Sequence, residues 1–290
     1  MSLRVFQSLW AMGGLPYRGE TPWSTAEQID KIVEGGFDGV DIAWTPILPS
    51  EEAIAAAQAR GVAWGATCFP NGEGDDFEEV IARFVAMGDE GPLYINLQPN
   101  LKVFTIEEGA PELRRCLRIV EEAGFEAVVE THRDRMTTDL RFTLQLMDAV
   151  PEMRMNGDLS HFVVGQEFAW PVGEDDHALI RRVLERCDMF HGRVASREQV
   201  QIPISWDYHR PWLDLFLGWW EIGFRAWRER SEPGAELYFV PELGPPMWYA
   251  ITGPDGEEMS DRWQEALMLK EHVRAIWERL EHESAVALGR

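Results

Sequence analysis

Cysteine is scarce in this chain. Cys68, Cys116 and Cys187 stand far apart and form neither a disulfide framework nor a metal-type pair. Cys116 falls in a helical pattern and the other two beside apolar runs, so all three read as buried thiols in a reducing cytoplasm. Basic residues are also few. Against 50 Asp and Glu there are 27 Lys and Arg, a formal net charge of −23. Such a surface repels phosphate backbones and argues against a nucleic-acid partner, though local arginines can still hold a small anion. Long apolar runs are missing: none approaches the roughly 18 residues of a membrane span, so no membrane is expected. The opening MSLRVFQSLW has no charged segment followed by an apolar stretch, so no secretory signal is expected. The segment Ala-Met-Gly-Gly-Leu after the first apolar run lacks the glycine spacing of a dinucleotide site.

What the chain does have is a large apolar fraction, 45% of 290 residues, ample for one big core. Short apolar runs at 4–9, 38–43, 62–67, 93–97, 126–130, 153–158, 187–192 and 236–242 read as strands, with helical patterns between them. Ser24 opens S-T-A-E, a capping box for a helix running to Gly35-Gly36. Leu113, Cys116, Leu117 and Val120 mark an amphipathic helix over 111–122, and Leu269, Val273, Ile276 and Leu280 repeat that spacing in a last helix, which Ser260 is expected to cap. Eight strands alternating with helices favour a single-domain α/β fold over 1–290, a (β/α)8 TIM barrel, above an open sheet. The irregular stretches 194–210 and 243–259 would then overhang the C-terminal face as lids.

Four of those runs end on a metal-type residue: Glu130, Asp158, His191 and Glu242. In a parallel barrel all strand ends open on one face, so residues far apart in sequence converge there. Two Glu, one Asp and one His make an oxygen-rich set with one nitrogen, suited to one divalent cation. Each signal alone has a plainer reading. Glu130 could pair with Arg133 or Arg135, Asp158 could cap a helix, and His191 could bond a carbonyl. The shared strand-end position is what favours the metal reading.

These same residues carry a resemblance. VVETH around Glu130, GDLSH over Asp158 and His161, FHGR over His191 and Arg193, and VPELG around Glu242 resemble the xylose-isomerase-like TIM-barrel superfamily, in its sugar isomerase and ketose 3-epimerase branch. GFDGVDI at 36–42 resembles that family's second strand, and the match runs through the whole chain in order. The resemblance implies that Glu130, Asp158, His191 and Glu242 ligate one divalent ion; one His among three carboxylates leans towards Mn2+ over Mg2+, Co2+ or Zn2+. The resemblance also implies that His161 and Arg193 contact substrate, and that Glu130 and Glu242 form the acid/base pair of an isomerase or epimerase acting on a small sugar or hydroxy-ketone through an enediolate. The sequence departs from the family's usual pattern just after the first ligand. Thr131, His132 and Arg133 stand where many members have Asn-His or a Gly pair, so His132 is a candidate substrate contact and Arg133 and Arg135 candidate pocket cations.

Trp10 and Trp44, past the first two strands, and Phe69 past the third, are expected at the barrel mouth, where aromatic faces suit sugars; core packing is the competing reading. Trp212, Trp219, Trp220 and Trp227 lie on a helix at 211–228 that is apolar around its circumference, which points to a homo-oligomer. Three other functions share the ligand chemistry or the fold. A metal-dependent lyase or dehydratase of a keto-polyol needs the same ligands. An AP-endonuclease-like hydrolase needs further His ligands, and His177, His209, His272 and His282 lie away from the strand ends. A noncatalytic sugar-binding barrel would be expected to have lost ligands.

Overall fold

A computed structural model describes residues 1–45, 48, 50–71, 76–103 and 105–287; residues 288–290 of the expected 1–290 domain lie outside it. Eight parallel strands close into one barrel in sequential order. They are β1 (Ser2–Ser8), β2 (Gly39–Ala43), β3 (Trp64–Cys68), β4 (Ile95–Leu97), β5 (Ala127–Glu130), β6 (Met155–Asn156), β7 (Cys187–Gly192) and β8 (Glu236–Pro241). Around them lie α1 (Thr25–Glu34), α2 (Ser50–Gln58), α3 (Phe77–Ala86), α4 (Ile106–Glu122), α5 (Leu140–Ala149), α6 (Ser160–Gly165), α7 (Glu174–Leu184), α8 (Arg210–Arg230) and α9 (Arg262–Ala287). All eight expected strands are present. β6 is shorter than 153–158 because its register with β7 shifts between Met155 and Asn156 and the ladder breaks off there. The short α6 is an element the sequence pattern did not announce.

Local chemistry sets the helix ends. Ser24 and Glu27 form the expected capping box of α1. A second box, Thr105 with Glu108, starts α4 at Ile106, ahead of the expected 111. α9 is capped by Asp261, whose carboxylate accepts from the backbone N–H of Trp263 and Gln264, and not by Ser260. A carboxylate is the better acceptor at the positive end of a helix. Ser260 donates its hydroxyl to Glu265 instead.

α8 lays Leu213, Phe216, Trp220, Phe224 and Trp227 against the barrel wall, all buried. Trp220 meets Phe239 edge-on at 5.0 Å, and Phe224 meets Phe190 at 5.3 Å. Of the tryptophans that prompted the oligomer expectation, Trp219, Trp220 and Trp227 are buried within this chain, against α7, the barrel and α9, and Trp212 is half-buried against Trp170. Trp44 likewise turns outward onto Phe84 of α3, centroids 5.3 Å apart, so it packs the outer layer and not the mouth. The three thiols are free and buried. Among the described residues no helix is long and apolar enough to cross a membrane.

The barrel interior is layered. At the N-terminal end Phe6, Tyr94 and Tyr238 form an aromatic plug, with Tyr94 and Tyr238 4.7 Å apart. Gly65 makes room for it, since a Cβ there would sit 2.1 Å from the Tyr94 ring. Above the plug lie Asp41, Thr67 and Asn96, and above those the strand-end residues. A concavity of 770 Å³ opens on the opposite end, lined by Arg154, Asp188 and Arg230 among others, beneath Tyr94 and Tyr238. Its Arg230–Asp188 pair at 2.6 Å neutralises itself.

Candidate metal centre

Parallel register carries the strand-end residues to one level. Glu130 stands opposite Asn156 across β5 and β6, His191 opposite Val240 across β7 and β8, and the Glu242 N–H reaches Gly192 O. Glu130, Asp158, His191 and Glu242 thus each offer a ligand atom within 4.8 Å of the others. The first three are 0% exposed and Glu242 is 7% exposed. His191 Nδ1 lies 3.1 Å from Glu242 Oε2 and 3.5 Å from Glu130 Oε1.

Each carboxylate is aimed by its neighbours. Glu130 Oε2 accepts from Asn96 Nδ2 at 2.6 Å and Gln98 Nε2 at 2.9 Å. Asn96 also bonds Thr67 Oγ1, which donates to Asp41, whose other oxygen accepts from Tyr94. Asp158 Oδ1 accepts from the backbone and hydroxyl of Ser160, and Thr131 Oγ1 holds the Asp158 carbonyl at 2.8 Å. Arg193, fully buried, donates through Nη1 to Asp158 and through Nη2 to Glu242 at 2.7 Å. His161 Nε2 sits 3.2 Å from Arg193 Nη1 and 3.6 Å from Asp158 Oδ2.

This donor set fits a divalent cation. Three carboxylates share a dry pocket with Arg193 and a His191 that they hold protonated, which still leaves an excess of negative charge that is costly to bury unless a cation offsets it. Glu130 Oε1 and both ring nitrogens of His191 meet no aligned hydrogen-bond partner although they are buried. Unused lone pairs converging on one point are what ligation would use. Without a cation His191 supplies a balancing charge, and a bound metal would displace its proton. Burial would lower His191, but the Glu242 and Glu130 carboxylates hold it well above its ordinary value. Burial would raise Glu130, yet His191 beside it pulls it below the usual carboxylate range. Asp158 is pushed up to about 6 by burial, against the pull of Arg193. Asp41, deeper in the barrel, is raised by burial to about 7.

His132 and Trp10 also reach this face. Thr137 bonds the Glu130 carbonyl and the His132 N–H, turning the chain after β5 back over the mouth. The His132 ring lies 4.2 Å from that of His161. Its Nδ1 contacts Arg133 O, which leaves Nε2 to accept from Tyr249 OH at 3.2 Å. Glu130, His132 and His161 form a second group whose ligand atoms lie within 4.8 Å of one another. Trp10 meets the Tyr249 ring edge-on at 5.5 Å. Gly244 permits this, since a Cβ there would strike both rings at 2.5 Å.

Several contributors escaped the sequence reading. Asn96 and Gln98, which orient Glu130, belong to I-N-L-Q, another apolar run with polar residues at its end. Tyr249 lies in the expected lid after β8, which carried no signal of its own. Gln201 clamps that lid through both backbone groups of Gly244. Buried Arg262 ties Glu258 to the carbonyls of Ala11, Gly13 and Leu243, joining the loops after β1 and β8.

Fold and site together define a closed (β/α)8 barrel with a candidate metal centre at its strand ends. No family model and no curated protein matches this chain. Solved structures do. An L-ribulose 3-epimerase is similar with a TM-score of 0.62 at 11% identity, covering 98% of each chain. A xylose isomerase-like TIM barrel protein from Mycobacterium smegmatis in complex with magnesium has a TM-score of 0.60 at 12% identity, over 94% of this chain and 97% of that one. A probable 3-DHS dehydratase from Bacillus anthracis has a TM-score of 0.53 at 13% identity, over 92% and 98%. At such identities the likeness establishes the fold.

Proposed function

We propose that this protein is a divalent-metal-dependent isomerase or epimerase of a small sugar-like hydroxy-ketone. The observation that carries the reading is the buried quartet Glu130, Asp158, His191 and Glu242, in which Glu130 Oε1 and both His191 ring nitrogens meet no hydrogen-bond partner. These four residues would hold one cation, with Mn2+ favoured by the mixed oxygen and nitrogen set. When bound, the cation supplies Lewis-acid polarisation of the substrate's carbonyl and neighbouring hydroxyl.

The rest of the chemistry belongs to the chain. One of Glu130 and Glu242 takes the proton from the carbon beside the carbonyl, and the other returns a proton. Return to the opposite face of the same carbon gives epimerisation; return to the neighbouring carbon gives aldose–ketose isomerisation. Burial raises the basicity of both glutamates while the positive neighbours lower it, which keeps them ionised and ready to accept a proton. His161 is held well below its ordinary pKa by burial and by the charges of His132 and Arg193, so it is a neutral ring that can donate to a developing oxyanion without losing charge. Arg193 has both terminal nitrogens on Asp158 and Glu242, so its first task is to aim those carboxylates. The layer of Trp10, Tyr249 and His132 limits water access from above.

A lyase expelling a β-hydroxyl would use the same residues, and the likeness to a dehydratase keeps that reading in play. Incubation with a ketose panel in heavy water separates them. Deuterium in a product of unchanged composition supports isomerisation, and loss of the mass of water supports elimination. No exchange into any ketose by metal-loaded protein, with Glu130→Gln indistinguishable from the parent, would falsify both.

A further inference from the structure

The rim of the site is cationic on a chain of net charge −23. Lys102, Arg133 and Arg135 gather where the chain leaves β4 and β5. Asp134 is the acid among them, 2.7 Å from Lys102 and 3.8 Å from Arg135. Arg133 has no carboxylate within 4.0 Å among the described residues. Its guanidinium carbon lies 4.5 Å from the centre of the Tyr249 ring, and one nitrogen reaches Trp248 O at 3.5 Å. Arg193, which aims Asp158 and Glu242, lies 4.3 Å from the centre of that same ring. The two guanidinium carbons are therefore at most about 9 Å apart, the reach of a small extended molecule.

The charges within the quartet leave no need for Arg133. Its three carboxylates balance one divalent cation and Arg193, so the outer arginine remains without a counter-charge. A guanidinium stacked on an aromatic ring keeps its edge donors free and oriented, a geometry suited to two coplanar oxygens. A phosphate would call for a cradle of backbone N–H groups, and the turn after β5 spends those of His132 and Asp134 on Thr137 and Thr138.

Resting on the metal-dependent reading above, we propose that the substrate is a sugar acid: a polyhydroxy keto acid whose hydroxy-ketone end faces the quartet and whose carboxylate is held by Arg133 at the rim. Arg135 over Phe69, 5.8 Å from that ring, extends the positive field across the mouth.

The test uses Mn2+-loaded protein and titration calorimetry with D-fructuronate, D-fructose and D-fructose 6-phosphate, with solvent deuterium exchange followed in parallel. The keto acid binds more tightly than fructose. Arg133→Ala weakens it roughly tenfold or more, a larger loss than it brings to fructose. Arg133→Lys recovers part of the loss, and Lys102→Ala, which removes the same charge without the fork, changes Kd less than about twofold. Arg133 is exposed, so its replacement leaves the fold intact, which circular dichroism checks. Equal binding of keto acid and fructose, with Mn2+ bound and exchange into fructose, overturns the sugar-acid assignment and leaves the metal chemistry standing. Tighter binding of the sugar phosphate, lost in Arg133→Ala, overturns it in favour of a phosphorylated substrate. Absence of Mn2+ binding and of exchange with all three overturns both readings together.

Discussion

Glu130→Gln separates charge from shape at the centre of the quartet. Gln is nearly isosteric, and its amide oxygen can take the place of Oε2 beneath Asn96 and Gln98. What disappears is the negative charge and the lone pairs of Oε1, which faces His191 at 3.5 Å. Metal-free protein should lose some stability, because His191 holds Glu130 ionised in the folded state, so the readout is the response to metal rather than the metal-free Tm. The response to metal should not survive it. A cation present at a hundredfold excess over its Kd adds about 2.7 kcal/mol to the folded state, and at about 2–4 °C per kcal/mol this raises Tm by roughly 5–10 °C. If the substitution weakens affinity by about a hundredfold, the same metal concentration adds only about 0.4 kcal/mol, a shift of roughly 1 °C. The assay is thermal unfolding followed by tryptophan fluorescence, in chelator and then in Mn2+, Mg2+, Co2+ or Zn2+. A parent protein whose Tm no cation moves, or a variant that responds as fully as the parent, would refute the reasoning.

Other consequences follow from the buried charges. Arg193→Met should destabilise metal-free protein by about 3–5 kcal/mol, since Asp158 and Glu242 lose their counter-charge; the deficit should shrink when Mn2+ is added, and an equal deficit with and without metal in urea titrations would count against the charge balance. Asp41 is raised from 3.8 to about 7, so the folded state keeps a proton there that the unfolded chain has lost. Its contribution is full below 3.8 and is lost as pH rises through 7, a fall in stability of about 1.4 kcal/mol per pH unit across that window. In Asp41→Asn that component vanishes, and the difference between parent and variant should change with pH between about 6 and 7 and level off above; a difference constant across that range would contradict it.

Much of the architecture was legible because its signals are local and periodic. Each apolar run that became a strand is bounded by turn residues, and strand order followed from alternation with helices. The quartet was legible because a parallel barrel converts strand-end position into spatial convergence. What was missed depends on tertiary geometry. Asn96 and Gln98 become informative only once β4 is known to stand beside β5. Tyr249 and Arg262 act from irregular loops whose path no periodicity encodes. Trp44 sits at a strand end as Trp10 does, yet one faces outward to α3 and the other the mouth, a matter of loop direction. The start of α4 is a different kind of miss: Thr105 and Glu108 spell a capping box, and the amphipathic spacing that begins at Leu113 drew the boundary too late. The aromatic density of α8 suggested a partner because sequence alone does not reveal that Trp220 and Phe224 meet Phe239 and Phe190 of the same barrel.

The most direct test of the account is anomalous scattering from crystals grown with Mn2+. The account predicts one peak within roughly 2.0–2.3 Å of carboxylate oxygens from Glu130, Asp158 and Glu242 and of a ring nitrogen of His191. A Mn2+ soak that leaves those four side chains without a peak, or that places the ion on other residues, would contradict it.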